Sequence, residues 1–111
     1  MREPVTTHVL GEDGVEVATH DYGGEGHPTF FVHGTGLVSR MWEPVMDLLG
    51  DLVRPIGIDL RGHGATRTPD GVDCFDHRMV ADVSAALAHH RADGAWIVAH
   101  SMGASTAILA A

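Results

Sequence analysis

Three short stretches along the chain are mostly apolar with no period of two: TFFVHG at 29–34, LVRPIGID at 52–59 and AWIVAH at 95–100. Unbroken apolarity over strand length predicts strands covered on both faces. Two earlier runs, VTTHVL at 5–10 and VEVATHDY at 15–22, are rich in β-branched residues and are separated by the turn cluster GEDG at 11–14. They predict a hairpin. GGEGHP at 23–28 is a second break. Between the buried strands the apolar positions change to helical spacing. In SRMWEPVMDLLG, 39–50, they are Met41, Trp42, Val45, Leu48 and Leu49. Ser39 is placed to cap this helix and Gly50 to end it, while Pro44 moves its true start towards Trp42. Pro55 donates no ladder hydrogen bond and predicts an irregular start to the second buried strand. LRGHGATRTPDG at 60–71 reads as a long loop. From Asp73 to Ala92 one helical face carries Met79, Val80, Val83, Ala86, Leu87 and His90, and residues 102–111 begin a last helix. The order is hairpin, β, α, β, α, β, α. It predicts an α/β fold with a mainly parallel sheet, an N-terminal hairpin and helices on both faces.

The chain has 111 residues, which suits one small domain. Its formal charge of −8, from 15 acidic and 7 basic residues, disfavours nucleic acid and anionic membrane surfaces, which must be met by clustered Lys and Arg. The nine histidines make it much less acidic below about pH 6. A single cysteine, Cys74, allows no internal disulfide and reads as an incidental thiol near a helix start. The first residues lack an apolar core of signal-peptide length, and no apolar run approaches the ~18 residues of a membrane span, so a soluble cytoplasmic protein is expected.

Ser101 directly follows a buried strand and directly precedes a helix. So tight a turn forces its central residue into a strained conformation and needs small residues two positions before and after, here Ala99 and Gly103. The pattern is the nucleophile elbow, G-x-S-x-G, with alanine at the first glycine. The elbow lifts the serine hydroxyl to the carboxyl edge of the sheet, and the Met102 amide lies at the helix N-terminus, where it can donate to a developing oxyanion. The plainer reading is a serine that caps the last helix. HGTG at 33–36 follows the first buried strand, so parallel pairing puts it at the same sheet edge. Thr35 or Gly36 there can offer a second amide donor, the plainer reading being a glycine-rich turn.

The sequence resembles the α/β-hydrolase superfamily through FFVHGTGLVSRMWEP (30–44), GIDLRGHGATRTPDG (57–71) and WIVAHSMGAS (96–105). The resemblance spans essentially the whole chain and matches the N-terminal half of that fold. It implies an oxyanion hole built from the backbone amides of Thr35 and Met102, with Ser101 as catalytic nucleophile. It also implies that His33 hydrogen-bonds beneath the oxyanion loop. Ser39 and Trp42 match an S-x-x-W that opens the first helix. Asp59, Arg61, Gly62 and Gly64 match a D-x-R-G-x-G loop, read as structural, with Thr66 where serine is commoner. A direct substrate role for His63 is the lesser alternative. A serine, where haloalkane dehalogenases and epoxide hydrolases carry aspartate, points to acyl transfer through a serine ester: esterase, lactonase, thioesterase, perhydrolase or C–C hydrolase. No cofactor or metal is expected, since the histidines give no tight ligand pair beyond His89 and His90, which diverge on a helix.

The resemblance implies a triad in chain order Ser, acid, His. After Ser101 come only MGASTAILAA, without acid or histidine. His100, next to Ser101 in an extended segment, points away from it. Residues 1–111 are therefore expected to form a partial α/β-hydrolase domain, inactive alone. The implied strand order puts 52–59 between 29–34 and the hairpin, with 95–100 as an open edge. Two alternatives stay open: a half-protein completed by a partner chain or a second copy along that edge, and a non-catalytic binding module on the same scaffold. The substrate is expected to be a small acyl compound.

Overall fold

The computed structural model describes residues 2–74, 77–91 and 93–111. Five strands, β1 (Val5–Leu10), β2 (Glu16–Asp21), β3 (His27–Val32), β4 (Val53–Ile58) and β5 (Trp96–Ala99), form one sheet in the order β1-β2-β4-β3-β5. β1 and β2 are the expected antiparallel hairpin, and β2 runs antiparallel to β4. β3 runs parallel to both β4 and β5. The sheet is thus mixed, with its parallel part built from the three apolar runs.

Three helices cover it: α1 (Glu43–Leu49), α2 (Arg78–His90) and α3 (Met102–Ala110). Consecutive strand residues face opposite sides, and β3 shows the consequence. Phe30 and Val32 pack in one core with Ile56, Ile58, Met79 and Val83, under α2 and α3. Phe31 packs in the other with Tyr22 and Met46, under α1. Phe30, Phe31 and Val32 are all fully buried, which is why this run shows no alternation.

Several boundaries differ from the sequence reading. β3 starts at His27, two residues early, because backbone pairing of His27 with Val53 and Pro28 with Arg54 extends it beyond the apolar run. Ser39 does not cap a helix. It lies buried in a 3-10 turn, Ser39–Trp42, with its amide donating to Asp59 Oδ1 (2.9 Å). α1 follows that turn. Pro55 sits inside β4 without breaking it. Its carbonyl accepts from Tyr22 N–H (3.0 Å), just past the end of β2. The N–H it lacks would point to the same side, where no strand partner continues. The helix expected from Asp73 begins at Arg78 among the described residues, and residues 75, 76 and 92 lie outside them.

The sequence reading missed Asp82, which occupies the buried face of α2 between Met79 and Val83. A carboxylate there must be paired. Arg61, itself fully buried, donates to it from Nε (3.1 Å) and Nη2 (2.9 Å), and the Arg61 amide adds a third bond (2.9 Å). Arg61 Nη1 reaches out to Asp13 at the hairpin tip (2.9 Å). Removing one partner strands a buried charge. Asp82→Ala is therefore expected to destabilise the fold by about 3–5 kcal/mol, with the apolar double replacement Arg61→Met/Asp82→Leu less damaging. Urea titrations of the three proteins check the ranking.

Candidate active site

Ser101 joins β5 to α3 at φ 56°, ψ −121°, a conformation that few residues other than glycine adopt. Tertiary packing enforces it. A Cβ at Gly103 would overlap the carbonyl oxygen of His33 and come within 2.9 Å of that of Val32. Without one, the first turn of α3 lies directly on the exit of β3. Before the turn, the His100 amide still donates to Val32 O (3.1 Å), so the chain stays strand-like up to Ser101. The serine is exposed, at the carboxyl ends of β3 and β5.

Beside it runs the loop from His33 to Gly36. His33 is fully buried and uses both ring nitrogens. Nδ1–H donates to Gly34 O (2.8 Å), and Nε2 accepts the Leu60 amide (3.0 Å). Burial holds its pKa below the ordinary histidine value and keeps the ring neutral. The Thr35 hydroxyl donates to Met102 Sδ (3.1 Å), so the two residues expected to supply oxyanion amides touch through their side chains. Among the described residues no acceptor takes the N–H of Thr35 or of Met102. Gly36 differs: its N–H is engaged by His63 Nε2 (2.9 Å), so of the two amides expected to serve in this loop Thr35 is the one left without an acceptor among the described residues.

None of the nearby histidines is placed to take the proton of Ser101. His33 and His63 have both nitrogens committed. The His100 ring lies over Gly34, with Nδ1 2.8 Å from where a Cβ there would stand. His77 and His89 lie on the surface, and His90 meets Thr19 Oγ1 (2.9 Å) and packs against Phe30. Among the described residues no group of His, Cys, Asp or Glu has the geometry to hold a metal ion, and no helix is long and apolar enough to cross a membrane. Cys74 is half-buried, with its sulfur against Gly62.

The D-x-R-G-x-G loop braces the site from below. Asp59, buried at the end of β4, accepts from His20 Nε2 (2.8 Å), Ser39 N (2.9 Å) and Ala65 N (3.0 Å). Burial opposes its ionisation, yet these bonds outweigh it and hold the carboxyl well below the usual carboxylate range. Its carboxylate also fills the space where Gly64 would carry a Cβ. Thr66 donates its hydroxyl to Asp59 O (2.5 Å) and accepts the Ala18 amide (2.9 Å).

Residues 30–111 match the alpha/beta hydrolase family, and the chain belongs to it. The chain is 38% identical over 90 residues to the 2-(acetamidomethylene)succinate hydrolase of Mesorhizobium japonicum, covering 79% of this chain and 31% of that one. It is 37% identical over 99 residues to a bifunctional esterase/perhydrolase of Acinetobacter calcoaceticus, covering 86% and 35%. Among solved structures, a bottromycin epimerase superposes with a TM-score of 0.86 at 25% identity, over 96% of this chain and 43% of that one. The chain thus spans about a third of the length of the curated relatives it matches. The epimerase illustrates that this fold serves more than one chemistry, so the fold alone does not fix the reaction.

Two outcomes follow from this geometry. Positive φ strain at a non-glycine residue costs about 1–3 kcal/mol. Ser101→Gly, which relieves it, should melt at a higher temperature than Ser101→Ala, which does not. Asp59 has a lowered pKa in the folded state, so its contribution is full above the unfolded value of about 4 and fades as pH falls through the folded value. The stability gap between the wild type and Asp59→Asn should be widest at neutral pH and narrow steadily in acid, as read by denaturant midpoints across pH.

Proposed function

We propose that these residues carry the nucleophile and oxyanion hole of a serine hydrolase that cleaves acyl compounds, esters or amides, through a covalent serine ester. The observation that carries this reading is the conjunction at one sheet edge of a strained, exposed Ser101 with two unengaged amides, Thr35 and Met102. A serine serving only as a helix cap would need neither the strain nor the second amide, and its side chain makes no cap bond here. In this reading Ser101 Oγ attacks the substrate carbonyl carbon as a base removes its proton. The former carbonyl oxygen, now negative, is held by the Thr35 and Met102 amides, with the α3 N-terminus adding favourable potential. Collapse expels the alcohol or amine as it gains a proton, and water then hydrolyses the acyl-serine.

The activities of two relatives, a hydrolase acting on an acetamido compound and an esterase/perhydrolase, suit such a serine ester. The reading assigns the triad acid and histidine to polypeptide outside residues 1–111 that extends the sheet beyond β5, because no described histidine is hydrogen-bonded to Ser101. Taken alone, residues 1–111 are expected to react weakly with a fluorophosphonate probe. The protein expressed from its own gene is expected to hydrolyse short p-nitrophenyl esters and to form a fluorophosphonate adduct at Ser101, located by mass spectrometry. Loss of a triad serine costs up to about 10⁶-fold in kcat, so Ser101→Ala should abolish turnover. Undiminished hydrolysis by Ser101→Ala would overturn the nucleophile assignment.

A further inference from the structure

His63 stands between two glycines of the D-x-R-G-x-G loop, yet its ring crosses to the loop at the end of β3. Nε2 accepts the Gly36 N–H (2.9 Å) and Nδ1–H donates to the carbonyl of Arg61 (2.8 Å). The two bonds together specify one state of the ring: neutral, with its proton on Nδ1. The ring packs on that of His33, centroids 4.8 Å apart. His33 in turn holds Gly34 O. In a planar trans peptide the carbonyl and the following N–H point in opposite directions. Fixing Gly34 O therefore aims the Thr35 N–H outward, and fixing the Gly36 N–H restrains the next peptide. The Thr35 amide is pinned on both sides.

We propose that His63 is a positioning residue for the oxyanion hole, holding the Thr35 amide in its donating orientation only while its ring is neutral. This rests on the reading of Ser101 and Thr35 given above. A proton on Nε2 turns the acceptor into a donor facing another donor, so the bond to Gly36 breaks and the loop loses one of its two anchors. The titratable or charged groups around the ring are His33 from β3, Asp59 and Arg61 from the β4 exit, His100 from the β5 exit and His8, whose Nε2 meets Ala65 O. The Arg61 guanidinium is turned away, towards Asp82 and Asp13.

Two measurements test this. In the ¹⁵N-labelled protein, a scalar coupling across the hydrogen bond should link Gly36 N to His63 Nε2 at neutral pH and vanish, with faster exchange of the Gly36 amide, as His63 protonates. Absence of the coupling at neutral pH overturns the proposal whatever the activity. In the protein expressed from its own gene, His63→Phe should lower kcat for a p-nitrophenyl ester by roughly 10²-fold, the scale of a misplaced catalytic group, with KM little changed. It should also remove the acid-side loss that His63 contributes to kcat. His63→Gln, whose amide oxygen can accept from Gly36, should recover much of kcat without restoring that pH dependence. An unchanged kcat and pH profile in both variants, with the fold intact by circular dichroism, overturns it too. If Ser101→Ala retains activity, the nucleophile reading fails, whereas the Gly36–His63 coupling still decides the positioning role.

Discussion

A carboxylate buried at the end of the central strand must find partners, and the loops around Ser101 are built largely from the groups that supply them. Asp59 takes a ring N–H from β2, an amide from the turn that leads into α1, and an amide from its own loop. Each bond offsets part of the cost of burying the charge, and each fixes a segment that would otherwise be free. The second buried charge, Arg61, works in the same way two residues later. It binds α2 through Asp82 and the hairpin tip through Asp13. Residues 59–61 thus join the layers of the fold beneath the candidate site and give its loops a fixed base.

The site itself is defined by close approach. α3 can rest on the exit of β3 only because Gly103 has no side chain, and that contact sets the unusual backbone of Ser101. The same proximity brings Met102 to Thr35. Strain at the serine, packing at the glycine and the contact of Thr35 with Met102 are therefore one geometric fact. It is also economical in residues: the loop at 33–36, the loop at 59–66 and the turn at 99–103 contain nearly all of it.

Much of this was legible in the sequence, for identifiable reasons. Strands buried on both faces leave unbroken apolar runs, so β3 and β4 announced themselves, and the GEDG turn marked the hairpin; β5 reads the same way in sequence, yet it lies at the sheet edge with Trp96 exposed and Ile97 to Ala99 only half-buried. Ser101 and Gly103 were legible because a tight strand-to-helix turn restricts residue size. Asp82 was not. Its neighbours Met79, Val83 and Ala86 give the helical face, and a lone carboxylate within that face was the available signal, but its partner lies 21 residues away in a loop. Ser39 misled because a serine ahead of an apolar periodic stretch usually caps with its side chain, whereas here its amide was claimed by Asp59. His63 stayed ambiguous for a similar reason. Glycines on both sides announce a loop, but not that the ring bridges to a second loop 27 residues earlier.

The strand order carries a consequence for how the molecule assembles. Among the described residues β5 joins the sheet only through β3, and α3 packs on α2, β5 and β3, so the elbow is added to one side of a framework that β1, β2, β4 and β3 form without it. The hairpin closes over a short loop, but β3 must wait for β4 and then for β5, more than 60 residues downstream in the register Thr29 to Trp96. Contacts so distant along the chain form late, after shorter-range ones have reduced the entropy of closure. On a ribosome, the framework can form as its strands emerge, and the turn at Ser101 takes its shape only after them.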